Sequence, residues 1–135
     1  MERIEIGDFL LIAEIHSGIP AEQLARMPRV LALAQSSLAA PFAGFGDFEA
    51  YPNLCEKAAI YCSRIVRNHP LPDGNKRTGY DVMREFIERN GVTFTHPEGG
   101  LMETAQVIED LAAGTMNENV FKGWVLHRLQ PGSNR

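Results

Sequence analysis

Apolar residues recur along this chain at the three- to four-residue spacing of helices that bury one face, and almost nowhere with the alternation of strands. Phe9, Leu10, Ile12, Ala13 and Ile15 predict a first helix, ended by Ser17-Gly18. Residues 20–27 read as a short helix or turn. Pro28 suits the first turn of a helix carrying Val30, Leu31, Leu33, Ala34 and Leu38, which Pro41 stops. Asn53 followed by Glu56 forms a capping-box-like start, and Leu54, Ala58, Tyr61, Cys62 and Ile65 give that helix a well-formed buried stripe as far as Asn68. A second central helix, with Tyr80, Val82, Met83, Phe86 and Ile87, runs from about Asn75 to Arg89 and closes at Asn90-Gly91. Val92 to Thr95 reads as a brief extended piece and His96 to Gly100 as a loop. Helix returns from Leu101 to Ala113, before Gly114, and from about Glu118 to Leu129, with Phe121 and Trp124 as core anchors. Residues 131–135 read as a fraying, disordered tail. The pattern predicts an all-α fold, and residues 1–135 are long enough for one domain with one sizeable core.

Residues 41–53 break the pattern. They are rich in Gly and aromatics, lack helical period and are long for a routine connection. Two readings stand side by side: a surface loop whose aromatics pack onto the core, or a mobile flap beside a functional loop.

Composition narrows the function classes. A formal charge of −4 supplies no global basic field for nucleic acid. No apolar run is long enough for a membrane span, and Met1-Glu-Arg-Ile-Glu5 lacks a secretory pattern, so a cytoplasmic location is expected. Cys55 and Cys62, on one helix, are separated by about 10 Å of rise. That exceeds the roughly 7 Å a disulfide spans, and reduced core thiols are expected. Arg64, Arg67, Lys76 and Arg77 are a local cluster of cations in an otherwise acidic chain.

The densest chemistry lies in His69-Pro-Leu-Pro-Asp-Gly-Asn-Lys-Arg-Thr78, between the two central helices. His69 is a titratable group suited to take a proton from a hydroxyl. Asp73 offers the single carboxylate that Mg²⁺ often takes from protein when phosphates supply other ligands. Gly74 removes a side chain where an oxyanion would approach, and the free amides near residues 74–77, at a helix start, suit negative charge. Arg77 can grip a phosphate bidentately, and Pro70 and Pro72 stiffen the loop. Each residue taken singly has an ordinary reading: Pro-Asp-Gly-Asn is a common turn, and Asp73 or Asn75 could cap the next helix. The combination points to a site.

His69-Pro-Leu-Pro-Asp-Gly-Asn-Lys-Arg77 resembles the defining motif of the Fic/Doc family, H-P-F-x-[DE]-G-N-[GK]-R, and in particular its death-on-curing (Doc) toxin branch, whose members read G-N-K-R-T or A-N-K-R-T. Tyr51-Pro-Asn-Leu-Cys-Glu-Lys-Ala-Ala59 is similar to the family's Y-P-T-L-x-E-K-A-A, and Asn90-Gly-Val and Ala112-Ala-Gly-Thr also fit. The resemblance covers about residues 20–130. It implies a compact Fic-fold helical bundle with the active loop between two central helices, and transfer of a phosphate-containing group from ATP, with Mg²⁺, to a protein hydroxyl. By position, His69 would be the general base and Asp73 the Mg²⁺ ligand. Gly74, Asn75 and Lys76 would shape the nucleotide-binding loop, and Arg77 would contact the phosphates. Residues 41–51 fall where the family places a target-docking flap.

Three positions depart from the motif. Leu71 stands for the usual Phe anchor, Lys76 for the second Gly of AMP-transferring members, and Tyr80 for their second phosphate-binding Arg. A long cation at 76 fills space that two glycines would leave, which suggests a reversed nucleotide and a Doc-type kinase presenting its γ-phosphate. AMP transfer by the same site, or a catalytically inactive Fic-like binding module, are the alternatives. No [ST]-x-x-x-E-[GN] segment for self-inhibition occurs in the chain. The resemblance therefore implies restraint in trans by a cognate antitoxin, and a target possibly among translation elongation factors. His16, His96 and His127 receive no role.

Overall fold

The computed structural model describes residues 1–95 and 100–131, so residues 96–99 of the expected 96–100 loop and 132–135 of the expected 131–135 tail lie outside the described residues, whereas Gly100 opens a helix and Pro131 ends a paired strand. Seven α-helices dominate the described residues: α1 (Ile6–Ser17), α2 (Ala21–Leu24), α3 (Pro28–Ala39), α4 (Leu54–Asn68), α5 (Asn75–Arg89), α6 (Gly100–Ala113) and α7 (Glu118–Leu126). The all-α expectation holds, with small strands added. β1 (Gly44–Phe45) and β2 (Phe48–Glu49) pair as an antiparallel hairpin, with Phe45 opposite Phe48. β3 (Val92–Phe94) pairs antiparallel with β4 (Leu129–Pro131), Val92 opposite Pro131.

α4 is the central helix, with ten of its fifteen residues buried. Its start is as expected: Asn53 Oδ1 accepts from the Glu56 amide at 2.9 Å. α5 lies against it so closely that a Cβ on Gly79 would stand 2.9 Å from Val66 Cγ1 and 3.2 Å from the Cys62 carbonyl oxygen. α1 packs on α5, α3 and α7 pack on α4, and α6 touches both central helices. Tyr61 and Phe86, 4.8 Å apart, join the two at the core, and Phe42 meets both rings edge-on at 6.1 and 6.2 Å. The Tyr61 hydroxyl accepts from the Ile4 amide at 3.1 Å, which pins the start of the chain to α4. Cys55 and Cys62 are buried free thiols, as expected, and burial with the nearby Glu56 charge pushes Cys55 up to about 11.

The final helix is shorter than its periodicity implied. α7 ends at Leu126, and Leu129–Pro131 turns away to pair with β3, where the Thr95 amide donates to the Arg128 carbonyl at 2.7 Å. Phe121 is fully buried, whereas Trp124 lies half-buried on it at 5.8 Å, with its indole N–H donating to Glu103 at 3.1 Å. Residues 41–53 also resolve into two behaviours. Phe42 packs inward, while Phe45 and Phe48 stand exposed on the hairpin.

Candidate active site

His69 ends α4 in the left-handed conformation, φ 54° and ψ 56°, the only non-glycine residue at positive φ among the described residues. Its amide donates to the Ile65 carbonyl at 3.1 Å, and its own carbonyl accepts from Arg29 of α3 at 3.2 Å. The main chain is thus held from two helices while the side chain stays exposed. A left-handed residue commonly closes a helix, usually a glycine, so a histidine there is held at some steric cost.

The loop then dives inward. Pro70 and Leu71 are buried, Leu71 completely. Asn75, the first residue of α5, accepts from the Leu71 amide and donates to the Leu71 carbonyl, both at 2.9 Å. Its amide side chain is therefore neither a helix cap nor a free ligand group: it staples the loop to its own helix. Leu71 in place of Phe still serves as a core anchor. Gly74 takes φ 85°, and a Cβ there would lie 2.6 Å from the His16 carbonyl oxygen. The missing side chain makes room for the main chain of α1, a reason the sequence did not reveal.

Around the loop opens a cavity of about 640 Å³, lined by His69, Asp73, Gly74, Asn75, Lys76 and Arg77 of the motif, by Val66 and Arg67 of α4, by His16 of α1, and by Glu109, Ala112 and Ala113 of α6. The structure thus brings all six sequence-identified site residues to one cavity. His69, Asp73 and Arg77 are exposed to it or its rim, and none has a side-chain partner among the described residues. Lys76 pairs with Glu109 at 2.6 Å. The α5 amides of Asn75, Lys76 and Arg77 precede the first intrahelical bond, from Thr78 to Gly74, and are donors at a helix start.

Two expectations change. The cation cluster divides: Arg67 donates to the Leu111 and Met116 carbonyls at 3.3 and 3.1 Å on the cavity wall, but Arg64 turns away to Glu118 and to the Tyr51 hydroxyl. His16, given no role from sequence, lies on the cavity wall with Nε2 at 2.5 Å from Asp81 Oδ2. Glu109 was missed altogether. Neither residue carries a local signal, because each reaches the site only through the packing of α1 or α6.

Tyr80 is absent from the cavity. It packs edge-on against Phe94 at 5.8 Å beneath the Arg84 guanidinium, and burial raises its hydroxyl above the ordinary value. Among the described residues no cluster of three or more His, Cys, Asp or Glu could enclose a metal. Of the carboxylates lining the cavity among the described residues, Glu109 is paired with Lys76 and Asp73 is not, and a single free carboxylate beside helix-start amides would suit a hard cation that draws most of its ligands from elsewhere.

A helical bundle with this loop between its central helices defines a class, and the comparisons agree. The sequence matches the Fic/DOC family over residues 5–87, more than half its length, and the chain belongs to that family. It is also similar to Toxin Doc of Mycolicibacterium smegmatis (strain ATCC 700084 / mc(2)155), 42% identical over 60 residues. The match spans 44% of this chain and 46% of that relative, so it covers about half of each. Among the described residues no helix is long and apolar enough to cross a membrane.

Proposed function

We propose that this chain is a toxin of the Doc type: a protein kinase that moves the γ-phosphate of ATP onto a Ser or Thr hydroxyl of another protein. The observation that carries the reading is a cavity presenting His69, Asp73 and Arg77 with side chains that have no partner among the described residues. His69 takes the proton as the hydroxyl oxygen attacks phosphorus; the bond to the bridging β-oxygen breaks, and ADP leaves. Arg77 and the amides at the start of α5 bind the phosphates, and Asp73 is the carboxylate that would hold Mg²⁺. When bound, Mg²⁺ neutralises phosphate charge. Asn75 keeps the loop in shape for these contacts.

The side chain at position 80 favours γ-phosphate transfer over AMP transfer. Tyr80 lies outside the cavity lining, so position 80 supplies no second phosphate-binding Arg, and Lys76 places a cation at the loop itself. Similarity to a protein named Toxin Doc supports a toxin whose restraint comes from a separate antitoxin. A translation elongation factor in the cytoplasm is the target class this reading implies, docked through the 41–51 hairpin.

Paired labelling with ATP tagged at the α- or γ-phosphate, with Mg²⁺ and a protein extract, tests the reading. A γ-only label, lost in His69→Asn, is the expected result; Asn suits the left-handed conformation at that position. Transfer of the α label would establish AMP transfer instead, and no label from antitoxin-free protein would leave a binding module.

A further inference from the structure

Asp81 lies four residues beyond Arg77 on α5, one turn away, where opposite charges on a helix surface ordinarily pair. Here they do not. Asp81 Oδ2 lies 2.5 Å from His16 Nε2, and Arg77 has no partner among the described residues although it lines the cavity. A carboxylate has only lone pairs to offer, so Nε2 carries the hydrogen and donates. His16 is mostly buried, its side chain 17% exposed, while Asp81 is 40% exposed. The imidazole comes from α1, whose main chain is already pressed against Gly74. The His16 main chain is therefore placed independently of Asp81.

We infer that His16 is a positioning residue of the phosphate site: by holding the Asp81 carboxylate it keeps the Arg77 guanidinium unpaired and available to an anion. The inference rests on the nucleotide reading above for the identity of that anion, but the His16–Asp81 pair and the unpartnered Arg77 are independent of that reading. Without the imidazole, Asp81 would swing to Arg77, neutralise its guanidinium and withdraw it as a phosphate ligand. This differs from a mere weld between α1 and α5. A weld, once broken, is not repaired by deleting its second half; a freed competitor is silenced by deleting it.

The test uses the full chain and AMP-PNP with Mg²⁺ as the probe, read by calorimetry. His16→Ala should weaken binding about fivefold, the scale of a partly lost charged contact. His16→Ala with Asp81→Ala should return to within about twofold of the unaltered chain, because no carboxylate is left to capture Arg77. His16→Gln, whose amide can donate to Asp81, should also restore binding. In parallel, the Arg77 Nε–H resonance of the apo protein should shift in His16→Ala and revert in the double variant. A double variant no better than His16→Ala, or an Arg77 signal that His16→Ala leaves unmoved, overturns the inference. Failure of the unaltered chain to bind AMP-PNP would instead overturn the nucleotide reading, and the Arg77 signal would still decide on the pair.

Discussion

Leu71, in the connection after α4, is wholly buried, whereas Phe45 and Phe48, in the connection before it, remain 80% and 58% exposed and lean on each other at 5.5 Å. The first connection is built from the inside: Leu71 anchors it, Asn75 satisfies both main-chain groups of Leu71, and Gly74 seats it on α1. The exposed side chains His69, Asp73 and Arg77 sit on a frame whose conformation they do not have to maintain. The second connection is held at its base. Buried Lys57 of α4 donates to Glu49 at 2.9 Å and to the Tyr51 carbonyl, while the Tyr51 hydroxyl accepts from Arg64 at 3.0 Å. Its tip has two aromatic rings and two-residue strands. The proposed phosphoryl transfer would demand donors fixed before the ligand arrives, so that the entropy of ordering is met in folding. A hairpin proposed to meet a protein segment would have less need of that.

The contrast breaks first at Asn75. Asn75→Ala leaves the buried Leu71 amide and carbonyl without partners and should destabilise the protein by about 3 kcal/mol, from two unsatisfied groups. Phe45→Ser should change stability by less than about 0.5 kcal/mol, as an exposed ring with no core contact to lose. Urea unfolding of the two variants measures both. Equal losses would mean that the hairpin is as integral to the fold as the loop.

Much of this frame was legible in the sequence, because periodicity and caps are local. The stripe of α4, the Asn53 cap and the Gly91 turn all report on neighbouring residues. The motif was legible for the same reason: its residues are consecutive. What escaped was brought together by packing across distance. The β3–β4 ladder joins Val92 to Pro131, and three-residue strands leave no period to detect. His16 and Glu109 arrive from α1 and α6, separated by most of the chain. Gly74 was legible as a necessary glycine, but its neighbour, the His16 main chain, was not.

The comparison sharpens in function when the hairpin tip is changed. Phe45→Ser together with Phe48→Ser should lower kcat/KM for the protein target about tenfold, roughly 1.4 kcal/mol of lost contact, while AMP-PNP affinity stays as it was. Steady-state labelling with varied target concentration checks the first, and calorimetry the second. Unchanged kcat/KM would remove the hairpin from target recognition; a parallel loss of nucleotide affinity would tie it to the loop.

The smallest effect is expected with pH, and it separates the two connections by chemistry. Arg64, whose guanidinium reaches Tyr51 at the hairpin base, is itself held by Glu118 at 2.9 Å, and Ser63 donates to the same carboxylate at 2.6 Å. Burial alone would raise the Glu118 carboxyl, but hydrogen bonds from Arg64 and Ser63 outweigh it, and the value falls below the ordinary 4.5. A carboxylate depressed in the folded state contributes stability that is fully present above its ordinary value and is lost as pH falls through the lower folded value. Acidification below about 4.5 should therefore loosen Arg64 and with it the Tyr51 end of the hairpin. The brace on Leu71 is an Asn amide, which does not titrate. In amide exchange corrected for intrinsic pH dependence, the Ala50 amide, which donates to the Ala43 carbonyl across the hairpin, should lose protection in that window before the Leu71 amide does. Glu118→Gln should abolish the difference in pH response, since a neutral amide replaces the titrating partner. Simultaneous loss of protection at both amides would show that the two connections open as one unit, and the distinction between a preorganised loop and a hairpin held only at its base would fall.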